Sequence, residues 1–311
     1  MPAEATVRVP ASTSNLGSGF DCVGVAVDRW LTASVALGGA DGVRIRREGT
    51  LARLSASPED DLLFAGFAAA CASVGRPVPA ALEFGADSGI PVARGLGSSA
   101  AAFVAGARLA SDALELGLAA EAVADLCAAA EGHPDNAAPA ALGGAVLGVP
   151  REDGGYLYAR LTVHPGLALV FAVPEFEVRT SAARAVLPAS VSFSTAVAAA
   201  GRAAALIQGL ATGDPGLLAR ALDDVLHVPH RRGLVAGFSV VDRAARGAGA
   251  VGVTLSGSGS TLMAFSPERR ADGVLEAMMG AWRSAGVQAE GFVSRRPVGA
   301  ASGGWAVAGE G

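Results

Sequence analysis

The sequence contains no lysine, since all 24 of its basic residues are arginine. No lysine can therefore form a Schiff base, act as a general base or clamp a phosphate as in a P-loop. The sequence also lacks an excess of positive charge, because its net charge is −5. Non-specific nucleic-acid binding needs a basic face, so we expect no nucleic-acid partner.

Cysteine is scarce as well. Cys22, Cys71 and Cys127 are widely spaced and odd in number, which argues against a disulfide framework and is typical of a reducing cytoplasm. We interpret each as a small core side chain rather than a nucleophile. The sequence has no run of about 18 apolar residues and no secretory signal at its start. It therefore predicts a cytoplasmic protein without a membrane partner.

What the chain does contain is apolar residues, which make up 51% of its 311 residues against 17% charged. This length suits two domains of about 100–200 residues each. Predicted strands and helices mix without strict βαβ alternation, which favours an α+β fold. A shift in composition at residues 150–155 places the predicted boundary between domains 1–152 and 153–296. A Gly- and Ala-rich tail, 297–311, follows them.

Hydrophobic periodicity predicts the main elements of both domains. Strands are predicted at 5–9, 43–47, 143–148, 167–173, 250–255 and 290–295. Helices are predicted at 62–74, 98–117, 119–130, 193–211, 214–226, 234–247 and 268–285.

The strongest local motif is a Gly- and Ser-rich run that precedes a long predicted helix: Pro91, Val92, Ala93, Arg94, Gly95, Leu96, Gly97, Ser98, Ser99, Ala100 and Ala101. Glycine permits close approach of a ligand, and a helix N-terminus offers free N–H groups to a phosphate. The two serines add hydroxyls for a phosphate oxygen and for Mg²⁺. The alternative is a plain turn in which Ser98 or Ser99 caps the helix. A Walker A loop is excluded, and the third glycine of a dinucleotide fingerprint is missing.

Three further polar stretches are candidate sites. Residues 10–21 follow the first strand, residues 131–136 end a helix, and residues 254–261 join a strand to a glycine loop. In the second stretch, Glu131 is a candidate metal ligand, and His133 and Asp135 are candidate substrate contacts. Each stretch also has a purely structural interpretation, as an Asx-rich loop, a capped helix end or a β-turn.

Together and in this order, the four motifs resemble those of the GHMP kinase superfamily over nearly the whole chain. Within the superfamily the sequence is most similar to the homoserine kinase branch, through Asn15–Asp21, Glu131–Gly144, Phe176–Pro188 and Pro229–Arg231. The resemblance implies an N-terminal domain like the second domain of ribosomal protein S5 and a ferredoxin-like C-terminal domain. The active site would lie in the cleft between them.

The resemblance also implies an activity, which is the Mg²⁺- and ATP-dependent phosphorylation of L-homoserine to O-phospho-L-homoserine in threonine biosynthesis. A homodimer is a further expectation, because that branch often forms dimers. Two alternatives stay open: a GHMP kinase acting on mevalonate or a polyol phosphate, and a non-catalytic paralogue that only binds a ligand.

The same resemblance assigns site residues. The catalytic residues would be Asn15, Asp21 and Arg184, and these would bind the substrate together with His133, Asp135 and Arg231. The nucleotide would lie on residues Pro91 to Ala101 with Ser256, Gly257 and Gly259. Mg²⁺ would be held by Glu131 and Ser99, with Ser98 as the alternative to Ser99.

These residue types suit the reaction. Arg184 and Arg231 can each bind a carboxylate through two parallel hydrogen bonds, and Arg232 is the alternative if the register is shifted by one. Oxygens of Asn15, Asp21 and Asp135 would bind the ammonium and the hydroxyl. Without a lysine partner, Asp21 would hold the hydroxyl in line rather than deprotonate it.

The sequence departs from the family pattern at four positions. Ser258 and Ser260 stand where Ala and Pro are usual, Asp61 where an adenine-contacting Asn is common, and Arg179 where Ser is typical. The serines are expected to change the stiffness of the loop but to keep its glycines.

Overall fold

The computed structural model describes residues 4–39, 41–300 and 302–304. Its strands are β1 (Glu4–Asn15), β2 (Gly19–Leu37), β3 (Gly42–Gly49), β4 (Ala81–Ser88), β5 (Ala145–Pro150), β6 (Tyr156–Leu161), β7 (Leu167–Pro174), β8 (Gly252–Leu255), β9 (Leu262–Pro267), β10 (Ala289–Ser294) and β11 (Ser302–Gly304). Its α-helices are α1 (Leu62–Ser73), α2 (Ser98–Ala113), α3 (Ala120–Glu131), α4 (Ala137–Leu142), α5 (Thr180–Ala185), α6 (Phe193–Thr212), α7 (Pro215–Leu222), α8 (Val228–Arg231), α9 (Phe238–Gly247) and α10 (Ala271–Ser284).

The strands form two sheets. The larger has seven strands in the order β11-β1-β2-β4-β3, with β5 paired to β2 and β6 paired to β5. Its pairs are antiparallel apart from β3 and β4, which run parallel. The smaller sheet has four antiparallel strands in the order β10-β7-β9-β8. The α+β expectation is confirmed.

The buried apolar side chains form two cores. The first core joins the large sheet to helices that include α1, α2 and α3, with Phe67, Val104 and Cys127 fully buried. The second joins the small sheet to α9 and α10, through side chains such as Val241 and Trp282. Burial of such side chains contributes about 1.5–3 kcal/mol each. The first core also contains side chains of β7, β9 and β10 from the other face of the small sheet, so it connects the two sheets.

Several helices begin where a polar side chain accepts a backbone N–H. Asp61 accepts from the N–H of Leu63 to cap α1, and Asp214 accepts from the N–H of Leu217 to cap α7. Such a cap contributes about 1 kcal/mol. Helix α2 differs, because its N-cap is Gly97 and no side chain accepts its first N–H groups.

The predicted boundary at residue 152 falls in the turn between β5 and β6. Strand β6 pairs with β5, so by strand pairing the large sheet continues to Leu161. The division into domains stays a prediction. In the predicted tail, residues 302–304 pair with β1 as an edge strand, whereas 301 and 305–311 lie outside the described residues.

Among the described residues, no helix combines the length and the hydropathy that a membrane crossing needs.

Candidate functional site

A cleft of about 340 Å³ lies where the two units meet, and residues from all four motifs line it. The end of β1, the loop before α2, the C-terminal end of α3 and the loop between β8 and β9 meet there with α5 and α8. The structure therefore brings together segments that lie up to 243 positions apart in sequence.

One wall of the cleft is the backbone before α2. Gly95 has φ +74° and Gly97 has φ +66°, both in the left-handed region. A Cβ at Gly95 would lie 2.1 Å from the carbonyl oxygen of Ser256, and one at Gly97 would lie 2.0 Å from Ser12 Oγ. Only glycine fits at either position.

This backbone opens directly into α2, whose first residues Ser98 and Ser99 line the cleft. Since Gly97 has no capping side chain, the alternative in which a serine caps the helix is not observed. The free N–H groups and the positive end of a 16-residue helix dipole face the cleft, which is the usual arrangement for binding phosphate.

The loop between β8 and β9 is tied to this wall by hydrogen bonds. Ser256 Oγ donates to the carbonyl oxygen of Gly95 at 2.6 Å, and the N–H of Thr261 donates to that of Arg94 at 3.1 Å. Gly257, with φ +56°, lines the cleft beside Ser258. The two glycine loops thus form one surface although they come from the two different motifs.

Arg94 lies inside the phosphate-binding motif but has another role. Its Nε donates to the carbonyl oxygen of Pro174 at 2.9 Å, its Nη1 donates to that of Val92 at 3.0 Å, and it pairs with Glu177 at 3.0 Å. The guanidinium therefore joins the loop to the small sheet instead of facing the cleft.

Glu131 ends α3 beside the first turn of α2. Ser99 Oγ donates to Glu131 Oε1 at 2.6 Å, whereas the buried Oε2 has no hydrogen-bond partner. Burial, partly offset by the bond from Ser99, raises the pKa of Glu131. An unpartnered carboxylate oxygen next to a hydroxyl fits Mg²⁺, which prefers oxygen ligands, and the contact favours Ser99 over Ser98.

On the opposite side of the cleft, Asn15 connects two segments by hydrogen bonds. It is 3% exposed and has φ +71°. Its Nδ2 donates to the carbonyl oxygen of Gly257 at 3.0 Å, and its Oδ1 accepts from the N–H of Asp21 at 2.9 Å. Both ends of the amide are thus engaged with the protein, so Asn15 fixes Asp21 relative to the glycine loop.

Asp21 and Arg184 form a bidentate ion pair, with Nη1 to Oδ2 at 2.7 Å and Nη2 to Oδ1 at 2.8 Å. This pairing raises the pKa of Arg184. The two residues are 163 positions apart and come from different units, and both line the cleft. The structure thus places a paired carboxylate and guanidinium side by side in the lining of the cleft.

His133 and Asp135 form a second pair, with Nδ1 donating to Oδ1 at 2.5 Å. Burial lowers the pKa of His133, but the bond to Asp135 and nearby carboxylates outweigh it and raise the pKa overall. Ligand atoms of Asp21, His133 and Asp135 lie within 4.8 Å of one another. Asp21 is already paired with Arg184, and Asp135 with His133, so both carboxylates of this cluster have a protein partner.

Arg231 completes the cleft and is 2% exposed. Its Nε donates to the carbonyl oxygen of Ala183 at 3.0 Å. Burial, followed by repulsion from Arg184, lowers the pKa of Arg231. Arg232 is exposed and is not part of the lining, so of these two arginines it is Arg231 that faces the cleft.

Three of the four residues that depart from the family pattern make specific contacts in the structure. Asp61 caps α1 and pairs with Arg47 at 2.5 Å, so its carboxylate is already satisfied. Ser260 Oγ donates to the carbonyl oxygen of Phe176 at 2.5 Å, and Ser258 lies 3.4 Å from Thr180 across the cleft. Nothing in the structure explains Arg179, which is exposed.

The cysteines are free thiols. Cys22 is half-buried next to Asp21, and burial together with the charges of Asp135 and Asp21 raises its pKa to about 11. Burial also raises the pKa of Cys71 and of Cys127. A thiolate is disfavoured at each position, which supports their interpretation as core side chains.

Sequence reasoning missed several lining residues. Ser14, Leu62 and Thr180 all line the cleft. Asn136 lines it too and donates to Ser14 Oγ at 3.1 Å. Asn136 and Thr180 lie inside two of the stretches that resemble the family, so their positions could have marked them as candidate site residues. Leu62 could not have been identified from the sequence, since apolar residues are common at the starts of helices.

Comparison with known proteins gives consistent findings. The chain matches the family models "GHMP kinases N terminal domain" over residues 62–144 and "GHMP kinases C terminal" over residues 206–283. It is 40% identical to a homoserine kinase of Synechococcus sp., covering 90% of this chain and 92% of the relative. It is 42% identical to a homoserine kinase of Moorella thermoacetica, covering 85% and 88%.

Among solved structures, a homoserine kinase from Cytophaga hutchinsonii superimposes with a TM-score of 0.87 at 30% identity. The match covers 97% of this chain and 98% of that one. The two-domain fold expected from the resemblance is therefore confirmed.

Proposed function

The chain belongs to the GHMP kinase family, and we propose that it transfers the γ-phosphoryl group of ATP to the hydroxyl of L-homoserine. The products are O-phospho-L-homoserine and ADP, a step of threonine biosynthesis in the cytoplasm. The observation that carries the proposal is the Asp21–Arg184 ion pair facing a phosphate-binding helix terminus across one cleft.

An α-amino acid carries an ammonium and a carboxylate on one carbon, and this end of the cleft complements both. Asp21 and Asp135 offer carboxylates to the ammonium, and Arg184 and Arg231 offer guanidinium groups to the carboxylate. A bound zwitterion replaces the single Asp21–Arg184 pair by two pairs of its own. The exchange avoids leaving either charge unpaired, which is otherwise costly in a partly buried site.

At the other end, the N–H groups of α2 and the two glycine loops would hold the phosphates of ATP. Glu131 and Ser99 would hold Mg²⁺, which would supply positive charge to neutralise the phosphates. Catalysis of phosphoryl transfer depends mostly on such positioning.

The chain's own groups position the nucleophile. Asn15 orients the N–H of Asp21, and Asp21 in turn accepts from the homoserine hydroxyl and keeps its oxygen in line with the γ-phosphorus. No lysine is present to make Asp21 a strong base, so the hydroxyl proton passes towards the phosphate oxygens. His133 donates to Asp135 and so orients that carboxylate towards the substrate.

The alternatives make different demands on the cleft. A kinase for mevalonate or a polyol phosphate has no ammonium to bind, which leaves Asp135 without its proposed role. A non-catalytic paralogue has no need of an unpartnered Glu131 oxygen beside Ser99. The homodimer expected from the resemblance stays a prediction.

Substrate analogues test the proposal group by group. With Mg·ATP, L-homoserine should give ADP and one phosphorylated product. 4-Hydroxybutyrate lacks the ammonium and 3-amino-1-propanol lacks the carboxylate, so both should be poor substrates. ADP release that is equally fast with 4-hydroxybutyrate would contradict an ammonium site, and activity with mevalonate but none with homoserine would refute the substrate assignment.

A further inference from the structure

His227 lies directly behind the carboxylate-binding arginines but does not line the cleft. The side chain is fully buried, immediately before α8. Its ring stacks on Phe20 with centroids 4.9 Å apart and planes at 20°. The guanidinium carbons of Arg231 and Arg184 lie 5.1 and 5.6 Å from the centroid of the same Phe20 ring. His227 and Phe20 therefore form the support beneath both arginines.

Both ring nitrogens of His227 have a partner. Nε2 lies 2.9 Å from the carbonyl oxygen of Gly17, and Nδ1 lies 3.5 Å from Nη1 of Arg231. A carbonyl oxygen can only accept, so Nε2 carries the hydrogen. A guanidinium can only donate, so Nδ1 must be the bare acceptor. The surroundings thus select one neutral tautomer.

Other charges near the ring do not change this assignment. The carboxylate of Asp224 accepts the backbone N–H groups of His227 and Val228 at 2.7 and 2.8 Å, and its Oδ2 is 3.8 Å from Nε2. Burial is the largest effect and lowers the pKa of His227, with Asp224 and Asp21 acting in the opposite direction. The neutral ring is the form that suits Arg231.

The contact with Gly17 connects the His227 ring to the turn that precedes Asp21. Gly17 lies in the turn between β1 and β2, between Asn15 and Asp21. It has φ +81°, and a Cβ there would lie 2.6 Å from the carbonyl oxygen of Ala221, so the turn sits against the start of the segment that carries His227. The ring thereby joins the turn that carries the ammonium-binding Asp21 to the arginine that binds the carboxylate.

We propose that His227 is a positioning residue for substrate recognition, which directs Arg231 by accepting its hydrogen bond and sets its distance from the Asp21 turn by donating to Gly17. The inference rests on the proposed function, because the ligand it serves is the α-carboxylate of homoserine. His227 touches neither substrate nor nucleotide, and acts through Arg231.

Two isosteric substitutions separate the two bonds. In His227→Asn the amide oxygen can take the place of Nδ1, which keeps the acceptor for Arg231. In His227→Gln the amide nitrogen can take the place of Nε2, which keeps the donor to Gly17. His227→Phe keeps the stacking on Phe20 and removes both bonds. His230→Phe, three positions later in α8 and exposed, is the matched control.

Steady-state kinetics at saturating ATP give the main readout, with the melting temperature of each variant as a check on folding. His227→Phe and His227→Gln should raise the KM for homoserine about tenfold or more, the effect of losing a hydrogen bond to a charged group. The KM for ATP should stay within about twofold of the unmodified protein. His227→Asn should recover most of the loss, and His230→Phe should behave as the unmodified protein.

A double-mutant cycle separates positioning from general support. In an Arg231→Met background, His227→Gln should have little further effect, because its target is gone. Equal KM changes for the Asn and Gln variants, or a Gln effect that persists in full without Arg231, would overturn the inference. An unmodified protein that fails to phosphorylate homoserine refutes the proposed function itself, and that result is seen before any variant is made.

Discussion

The two ends of the cleft differ in the groups that line them, which are mainly backbone at one end and charged side chains at the other. At the proposed phosphate end, the surface is mostly backbone, namely the left-handed turns at Gly95, Gly97 and Gly257 and the N-terminus of α2. At the amino-acid end it is side-chain charge, chiefly Asp21 and Arg184 in contact. A backbone site binds any phosphate chain and needs no lysine, whereas a side-chain site matches the charges of one class of molecule. Mutations at the two ends should therefore affect phosphate binding and amino-acid recognition separately.

The largest effect is expected at the one carboxylate of the phosphate end. Glu131→Gln keeps the shape of the side chain but removes its charge, so turnover should fall on the order of 10³-fold while the melting temperature changes little. Glu121→Gln on the same helix, where Glu121 is exposed, is the control. Turnover within about threefold of the unmodified protein at saturating Mg²⁺, under 1 kcal/mol of barrier, would remove Glu131 from the metal site.

A smaller, one-sided effect is expected at the amino-acid end. Arg184→Ala removes one partner of the carboxylate and leaves Asp21 unpaired, so the KM for homoserine should rise about 10–100-fold. We expect less than for a fully desolvated pair because the Arg184 side chain is 38% exposed. The KM for ATP should hardly change. Arg179→Ala, exposed and five positions earlier, controls for loss of charge, and parallel changes in both KM values would indicate a phosphate-binding or structural role instead.

The corresponding test of the backbone end is Gly97→Ala. The added methyl group would lie 2.0 Å from Ser12 Oγ at φ +66°, so both the KM for ATP and the melting temperature should be affected, while homoserine recognition is spared. Gly117→Ala has almost the same φ, +67°, but open space around it. It should show only the backbone cost, about 1 kcal/mol. If the two variants lost equal stability, close packing would not be the reason for glycine at position 97.

The smallest effect is a difference in pH dependence between two histidines of the same region. The pKa of His227 is lowered on folding, so its unfolded form takes up a proton first and stability falls as the pH drops below about 6.5. The pKa of His133 is raised, so its contribution is full below about 6.5 and is lost as the pH rises through the folded value.

Melting temperatures of His227→Phe and His133→Gln between pH 5 and pH 8 measure this difference. His227→Phe should flatten the acid side of the profile, and His133→Gln should lose more stability at the acid end than at the alkaline end. Identical profiles for the two variants would show that the histidines do not differ in environment.

Much of the candidate site could be predicted from sequence because it depends on local chemistry. A glycine run before a long helix indicates a phosphate site on physical grounds alone, and the spacing of Glu131, His133 and Asp135 placed three groups on one helix end. Roles for Arg184 and Arg231 came from the resemblance, since a single arginine in an Ala-rich segment has no distinctive pattern.

What could not be predicted depends on distant contacts. Strand β1 continues through Ser12 and Thr13, whose side chains are fully buried. Their hydroxyls have distant partners, because Ser12 Oγ donates to Asn136 Oδ1 and Thr13 Oγ1 lies 2.9 Å from Ser256 Oγ. Polar residues there look like a loop until those partners are known. Strand β4 was missed although its buried Leu82 and Phe84 alternate with polar positions, because glycine and charged residues interrupt the run.

Helix ends show the same limit. The predicted helix at 214–226 ends at Leu222, because Asp223 and Asp224 follow and Asp224 caps the next turn through its own carboxylate. The predicted helix at 234–247 begins at Phe238, since Gly237 takes φ +78° before it. Such ends depend on individual hydrogen bonds that periodicity does not contain.

The central claim is that a general phosphate end and a specific amino-acid end share one cleft, and a competition assay tests it most directly. Equimolar L-homoserine and mevalonate are incubated with the unmodified protein and Mg·ATP, and the phosphorylated products are identified by mass spectrometry. The account predicts O-phospho-L-homoserine in amounts that match the ADP released. Phosphomevalonate as the main product, or ADP formed without either phosphorylated product, would contradict it.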